Sequence, residues 1–273
     1  MPKRCHPLAG AIVVIALLSL GCRQADDPPA RSYVQQVIPA HSHNDELRAR
    51  PLLDALAVGC MSIEVDVFDV DGELLVAYDR ADVQSDRTLD AMYFKPLSEL
   101  VREHQWILPG RQPLILVVEF KGDRDGCHAL LQKRLEPYRA MLHRMEDGKR
   151  VAGPIRVVVS GKRPKNEIAA SRTRLMDLDT QPGEFPNESA ELCAIQSISW
   201  KELFPGKQVT ELSPEERDKL KKVAEKARQQ GRLLRIYDMP DNEKAWSLAL
   251  DVGVGLVNTD KLAEFAAYFR SRR

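Results

Sequence analysis

Two groups of residues in this sequence have the types and spacing for proton transfer and metal chemistry. In Ile38-Pro39-Ala40-His41-Ser42-His43-Asn44-Asp45 an apolar run ends in two histidines. An amphipathic segment separates it from Ser62-Ile63-Glu64-Val65-Asp66-Val67, where two carboxylates take alternate positions. Alternate residues of an extended chain share a face, so Glu64 and Asp66 point one way while Ile63, Val65 and Val67 pack the other. Leu114-Ile-Leu-Val-Val-Glu119-Phe-Lys121 then brings a carboxylate and a lysine to one face at the end of a nearly continuous apolar run. Parallel strands of a barrel would deliver such groups to a single rim.

The elements that must position them alternate along the chain. Strands are expected over 33–40, 62–70, 114–121, 155–161, 175–179, 194–200, 233–239 and 255–260. Helices are expected over 51–59, 96–104, 127–145, 214–230, 243–252 and 261–270. Asp71-Gly72 is a hairpin turn from which Leu74 to Asp79 returns, aiming Tyr78 and Asp79 back at the rim. Ser213-Pro214-Glu215-Glu216 has the cap, the proline and the acids of a helix start. Strands alternating with helices at this length indicate an α/β chain, a single-domain (β/α)₈ barrel.

The first residues are basic, Leu8 to Leu20 is apolar, and Ser19-Leu20-Gly21-Cys22 ends the run. Residues 1–21 therefore read as a lipoprotein-type signal peptide, Cys22 as the lipidated residue, 22–35 as a tether and 36–273 as the barrel. That reading places the protein in a bacterial cell envelope, lipid-anchored in the periplasm or outer membrane, or secreted, with the membrane as partner through the anchor. Removing the signal leaves about 250 residues, the usual length of a (β/α)₈ barrel. Cys60, Cys127 and Cys193 are expected to be buried thiols with at most one disulfide. Forty basic side chains balance forty acidic ones, which gives no case for a nucleic-acid footprint.

His41-Ser-His-Asn-Asp, Ser62-Ile-Glu-Val-Asp-Val and Asp71-Gly-Glu-Leu-Leu-Val-Ala-Tyr-Asp79 resemble, in order and spacing, the PI-PLC-like phosphodiesterase superfamily. The likeness continues through Val118-Glu-Phe-Lys121, Val159-Ser-Gly-Lys-Arg-Pro164, Arg235-Ile-Tyr-Asp-Met-Pro-Asp241, Trp246 and Val257-Asn-Thr-Asp260. Within the superfamily it is greatest to the altered inheritance of mitochondria six branch, related to glycerophosphodiester phosphodiesterases and spider sphingomyelinase D. The resemblance implies a distorted TIM barrel and metal-assisted cleavage of glycerophosphodiesters or phospholipid headgroups.

By the same resemblance, His41 is nucleophile or acid-base, and Glu64, Asp66 and Glu119 hold Mg²⁺ or Ca²⁺. Lys121, Asn44 and Arg235 contact the substrate, a phosphodiester or phospholipid-derived small molecule. The position of the second catalytic histidine carries Tyr78, and a phenol is far less suited than an imidazole to shuttle protons near neutrality. His43 is either a supporting partner or a stand-in for that histidine. The alternative is a catalytically silent barrel that keeps its rim as an envelope ligand-binding module. Other readings stay open beside these: Glu64 and Asp66 as ion-pair partners of Lys121 or Arg235, Trp246 as core, and Asn258 with Asp260 as either rim ligands or a cap.

Overall fold

The computed structural model describes residues 32–185 and 187–272. Eleven strands form among them: β1 (Ile38–Ser42), β2 (Cys60–Val70), β3 (Glu73–Val76), β4 (Leu114–Phe120), β5 (Arg144–Glu146), β6 (Lys149–Val151), β7 (Ile155–Gly161), β8 (Asp177–Thr180), β9 (Cys193–Ser199), β10 (Leu233–Tyr237) and β11 (Leu256–Thr259). Eight are parallel and pair in the order β1, β2, β4, β7, β8, β9, β10, β11, and β11 pairs back to β1, so the sheet closes into a barrel. The return strand β3 lies antiparallel on the end of the long β2. Helices α1 (Leu53–Val58), α2 (Lys95–His104), α3 (Arg124–Leu135), α4 (Lys165–Ala170), α5 (Trp200–Leu203), α6 (Pro214–Gln229), α7 (Glu243–Val252) and α8 (Leu262–Ser271) fill the connections. Among the described residues between β8 and β9 no helix forms, which is one distortion of the regular plan.

The alternation of each strand makes two apolar layers. Leu116, Val118 and Phe120 of β4 face outward into the large core shared with the helices, whereas Ile115 and Val117 join Val158, Ile195 and Leu256 in a small cluster inside the barrel. One further step along that inner face stands Glu119, paired in register with Asp66 on one side and Ser160 on the other. The same register places Ser197 beside Arg235. Apolar layers thus fill the barrel up to a ring of polar side chains at the C-terminal rim.

The opposite end is closed by charge. Asp177, 1% exposed, receives Arg156 Nε at 2.8 Å, Arg174 Nε at 3.1 Å and Arg150 Nη1 at 3.2 Å. Asp177→Ala would leave three largely buried guanidiniums facing one another, a loss on the order of 3–5 kcal/mol. We expect the unfolding midpoint to drop by about 10 °C, measured by circular dichroism.

Two elements differ from their sequence expectation. The first strand runs over Ile38–Ser42 rather than 33–40, so His41 is bonded inside the sheet between Ser62 and Asn258 instead of following it. The expected helix over 127–145 stops at Leu135, because Pro137 removes a backbone donor and turns the chain into a 3₁₀ segment. Beyond it the Asp147-Gly148 pair, with φ of 48° and 79°, turns the hairpin of β5 and β6.

Ser213 caps α6 as expected, accepting from Glu216 N while Glu216 returns a bond to Ser213 N. Cys60, Cys127 and Cys193 are buried and free. Tyr33 N and Val34 N donate to Trp106 O (3.0 Å) and Ile107 O (2.8 Å), so the chain is tied to the fold by residue 33. The signal segment 1–21 and Cys22 lie outside the described residues. Among the described residues no helix is long and apolar enough to cross a membrane.

Candidate active site

A cavity of about 520 Å³ opens at the C-terminal ends of the strands. Glu64 and Glu119 line it, and Asp66 lies fully buried beside them. Each of the three offers a carboxylate oxygen within 4.8 Å of the other two. Two cations border the cluster: Lys121 Nζ stands 2.9 Å from Glu119 Oε1 and 3.1 Å from Asp66 Oδ2, and Arg235 Nη1 2.8 Å from Glu64 Oε2. Neither oxygen of Asp66 accepts a hydrogen bond. Burial, then the charges of Glu119 and Glu46, push its carboxyl up to about 8. Glu64 goes the other way, since Arg235 and the His41 hydrogen bond outweigh burial and hold it well below the carboxylate range. Gly161 keeps this corner open: its φ is 66°, and a Cβ there would come within 2.8 Å of Glu119 Cγ.

The two histidines differ in depth, His41 lying in β1 and His43 in the turn that follows it. His41 is wholly buried and absent from the cavity wall. Its Nδ1 bonds Ser62 Oγ at 2.9 Å and its Nε2 bonds Glu64 Oε2 at 2.5 Å. Burial, reinforced by the Arg235 charge, lowers its pKa to about 4, so the ring is neutral. His43 lines the cavity. Its Nδ1 meets Asp260 Oδ1 at 2.9 Å, and because an ionised carboxylate only accepts, Nδ1 carries the proton and Nε2 remains for a ligand. Burial opposes its protonation, but the Asp260 bond and the Glu64 charge outweigh it and raise the pKa above 6.5. Asp260 is itself positioned through its backbone, with N donating to Asp241 Oδ2 at 2.8 Å while Trp246 Nε1 donates to Asp241 Oδ1 at 2.7 Å.

Asn44, at φ 46°, follows His43 onto the wall, and Arg235, Lys121 and Tyr78 complete the gathering of residues singled out from sequence. Tyr78 is 46% exposed at the mouth, with Lys121 Nζ 5.6 Å from its ring centroid. Trp246 is core, packed on Phe265 and Tyr268. Sequence reasoning missed the far wall of Ser160, Asp179 and Ser197. Its signal was the alternation in Asp177-Leu178-Asp179, the same pattern that marks Glu64 and Asp66.

Comparison with known proteins adds to this geometry. The AIM6-like phosphodiesterase domain matches residues 32–109, the segment that carries both histidines, Glu64, Asp66 and Tyr78. The chain is similar to AIM6-like phosphodiesterases. An altered inheritance of mitochondria protein 6 homolog of Arthroderma benhamiae is 24% identical over 85% of this chain and 84% of its own. Altered inheritance of mitochondria protein 6 of Eremothecium gossypii is 29% identical over 89% of this chain and 74% of its own. The crystal structure of a glycerophosphodiester phosphodiesterase from Parabacteroides distasonis shares the fold, with a TM-score of 0.51 and 15% identity over 89% of this chain and 96% of that one. These relatives correct one expectation. The AIM6-like proteins matched over most of their length are fungal, and a fungal cell has no bacterial envelope, so placement in the periplasm or outer membrane is withdrawn.

Proposed function

We infer that this protein is a divalent-cation-dependent phosphoric diester hydrolase. One observation carries the reading: three carboxylates converge within 4.8 Å beside a cavity that also holds a carboxylate-oriented histidine and a lysine. The cluster fits a hard cation. Neither buried oxygen of Asp66 accepts a hydrogen bond and only Oδ2 is ion-paired, to Lys121, so a further cation would relieve their burial, and an all-oxygen donor set favours Mg²⁺ or Ca²⁺ over thiophilic metals. Bound to Glu64, Asp66 and Glu119, the cation would offset phosphoryl charge and orient the diester.

This chain's own residues supply the rest. Lys121 and Arg235 offer positive charge to the phosphate, and Asn44 can donate an amide hydrogen bond to it. His43, oriented by Asp260, holds or takes the reacting proton at Nε2. His41 acts behind it as a positioning residue, fixing the Glu64 carboxylate through a charge-assisted bond. Glycerophosphodiesters and phospholipid headgroups are the substrate classes that suit this cavity.

Hydrolysis of bis(p-nitrophenyl) phosphate with Mg²⁺, with Ca²⁺ and with chelator tests the reading. Metal-dependent turnover is expected. Its absence with either metal, in protein shown to be folded, would replace the enzyme with a ligand-binding barrel silenced at Tyr78.

The histidine pair makes a pH prediction. With His43 as base, kcat/KM rises with pH as its proton leaves, and since that pKa sits above 6.5 the rise lies on the alkaline side of 6.5. Asp260→Asn removes the charge-assisted bond, so the rise should move to lower pH while the plateau falls on the order of 10²-fold. A pH-rate profile of both proteins measures each effect.

A further inference from the structure

A second cavity, of about 170 Å³, lies on the outside of the barrel wall, beside the helix-free connection from β8 to β9. Gln196 and Ile198 of β9, Val223 and Lys226 of α6, and Arg232 just ahead of β10 line it, together with residues 182–184 of that connection. Ser197, between the first two, lines the catalytic cavity instead, so alternation along β9 puts the two cavities on opposite faces of one strand. They share no lining residue. Drug-sized ligands fill roughly 300–1,000 Å³, so this smaller space suits a group of a few atoms.

The polar groups of this lining are mostly donors. Arg232 is 3% exposed; its Nη2 donates to Phe185 O at 2.5 Å and Glu188 O at 2.9 Å, but its buried Nε has no acceptor. A buried donor is normally bonded, so one left unpaired on a cavity wall marks a place for an acceptor. Lys226 is exposed and forms no ion pair among the described residues, and Gln196, 7% exposed, adds an amide N–H₂. The single acid of the lining, Glu184, is already taken: its carboxylate accepts from Gln181 N at 2.9 Å and Arg163 Nη2 at 3.1 Å and pairs with Lys165.

We propose that this outer pocket binds a small oxyanion, a carboxylate or a phosphate, through Lys226, Arg232 and Gln196, as a site apart from the catalytic cavity. An oxyanion brings several lone pairs to these donors and meets two positive charges. An ammonium would face both cations and be repelled, and an alkane would leave Arg232 Nε without an acceptor. The pocket also borders the loop that forms part of the catalytic wall. Gln181 and Arg163 line the catalytic cavity, and both bond Glu184, which lines the outer one. Arg232 holds the next turn of that loop through the carbonyls of Phe185 and Glu188, so an oxyanion on Arg232 adds to the contacts of a segment that begins at the catalytic wall.

Amide chemical shifts of the isotope-labelled full chain test this, because Gly183 lines the outer pocket and Gly161 the catalytic cavity, so each site has its own reporter. Sodium acetate and sodium phosphate are titrated in turn, without added metal and at an ionic strength held constant with sodium chloride. Gly183 should shift saturably with at least one of them, and the tighter of the two names the source of the oxyanion. Lys226→Glu reverses a charge on an exposed helix position and should weaken that Kd about tenfold or more while the Gly161 response is kept. Gln196→Leu removes only a neutral donor and should weaken it about threefold. No saturable shift of Gly183 with either anion would overturn the proposal. So would a Gly183 curve that merely follows that of Gly161, or a Kd that neither variant changes. No turnover enters the measurement, so the result stands whether or not the phosphodiesterase reading does.

Discussion

His43→Ala is expected to lower kcat/KM for a chromogenic diester by about 10²–10⁴, the range a positioned acid-base group contributes. Its thermal unfolding should stay close to wild type, since the ring is 29% exposed and bonded to a carboxylate that is 64% exposed. His41→Ala behaves differently. It removes a wholly buried ring bonded at both nitrogens and leaves Glu64 without its 2.5 Å partner. Cavity and lost hydrogen bonds together cost about 3–5 kcal/mol, so activity should fall along with stability. Melting curves and steady-state kinetics on the two variants, side by side, separate the roles. A stable, inactive His41→Ala protein beside an active His43→Ala one would make His41 the reacting imidazole and remove the proposed assignment.

The second large effect concerns the cation. At 100 times its Kd, a bound metal stabilises the folded chain by about 2.7 kcal/mol, so Mg²⁺ or Ca²⁺ should raise the unfolding midpoint by about 5–10 °C, and chelator should reverse it. Asp66→Asn removes one of three carboxylates and should abolish both that shift and metal-dependent turnover. The same substitution should not weaken the metal-free protein at neutral pH. Asp66 has its pKa raised from 3.8 to about 8, so its ionisation opposes folding. Stability is therefore present at low pH and declines as pH rises between those values, and a neutral amide removes this loss. Differential scanning calorimetry at pH 5 and pH 8, with and without metal, reads both signs. A midpoint insensitive to either cation would show that Lys121 and Arg235 alone balance the cluster.

Much of the barrel was legible in the chain. Ile63, Val65 and Val67 alternating with Glu64 and Asp66 specified both a strand and the face that carries its carboxylates, because the period of two is a local property of extended backbone. The run Leu114 to Phe120 announced burial on both faces, and Ser213 to Glu216 announced a helix start, each from chemistry within a few residues. Where the reading slipped, the deciding signal was also local but was outweighed. Pro137 and the Asp147-Gly148 turn lie inside a stretch whose composition otherwise suits a helix.

The site divides along a different line. The types of residue that gather at the rim, three carboxylates, a lysine and two histidines, were determined by the sequence alone. Which histidine reaches the cavity was decided by tertiary structure. His41 lies in β1 and His43 in the turn two residues on, and closure of β1 between β11 and β2 buries the first against Ser62 and Glu64 while leaving the second at the rim. The partner of His43 comes from Asp260, 217 positions away, and Asp179 Oδ2 accepts from hydroxyls on two neighbouring strands. Side-chain direction is set by the nearest residues. Depth and partnership depend on strands far apart in sequence, and exist only once the barrel has closed.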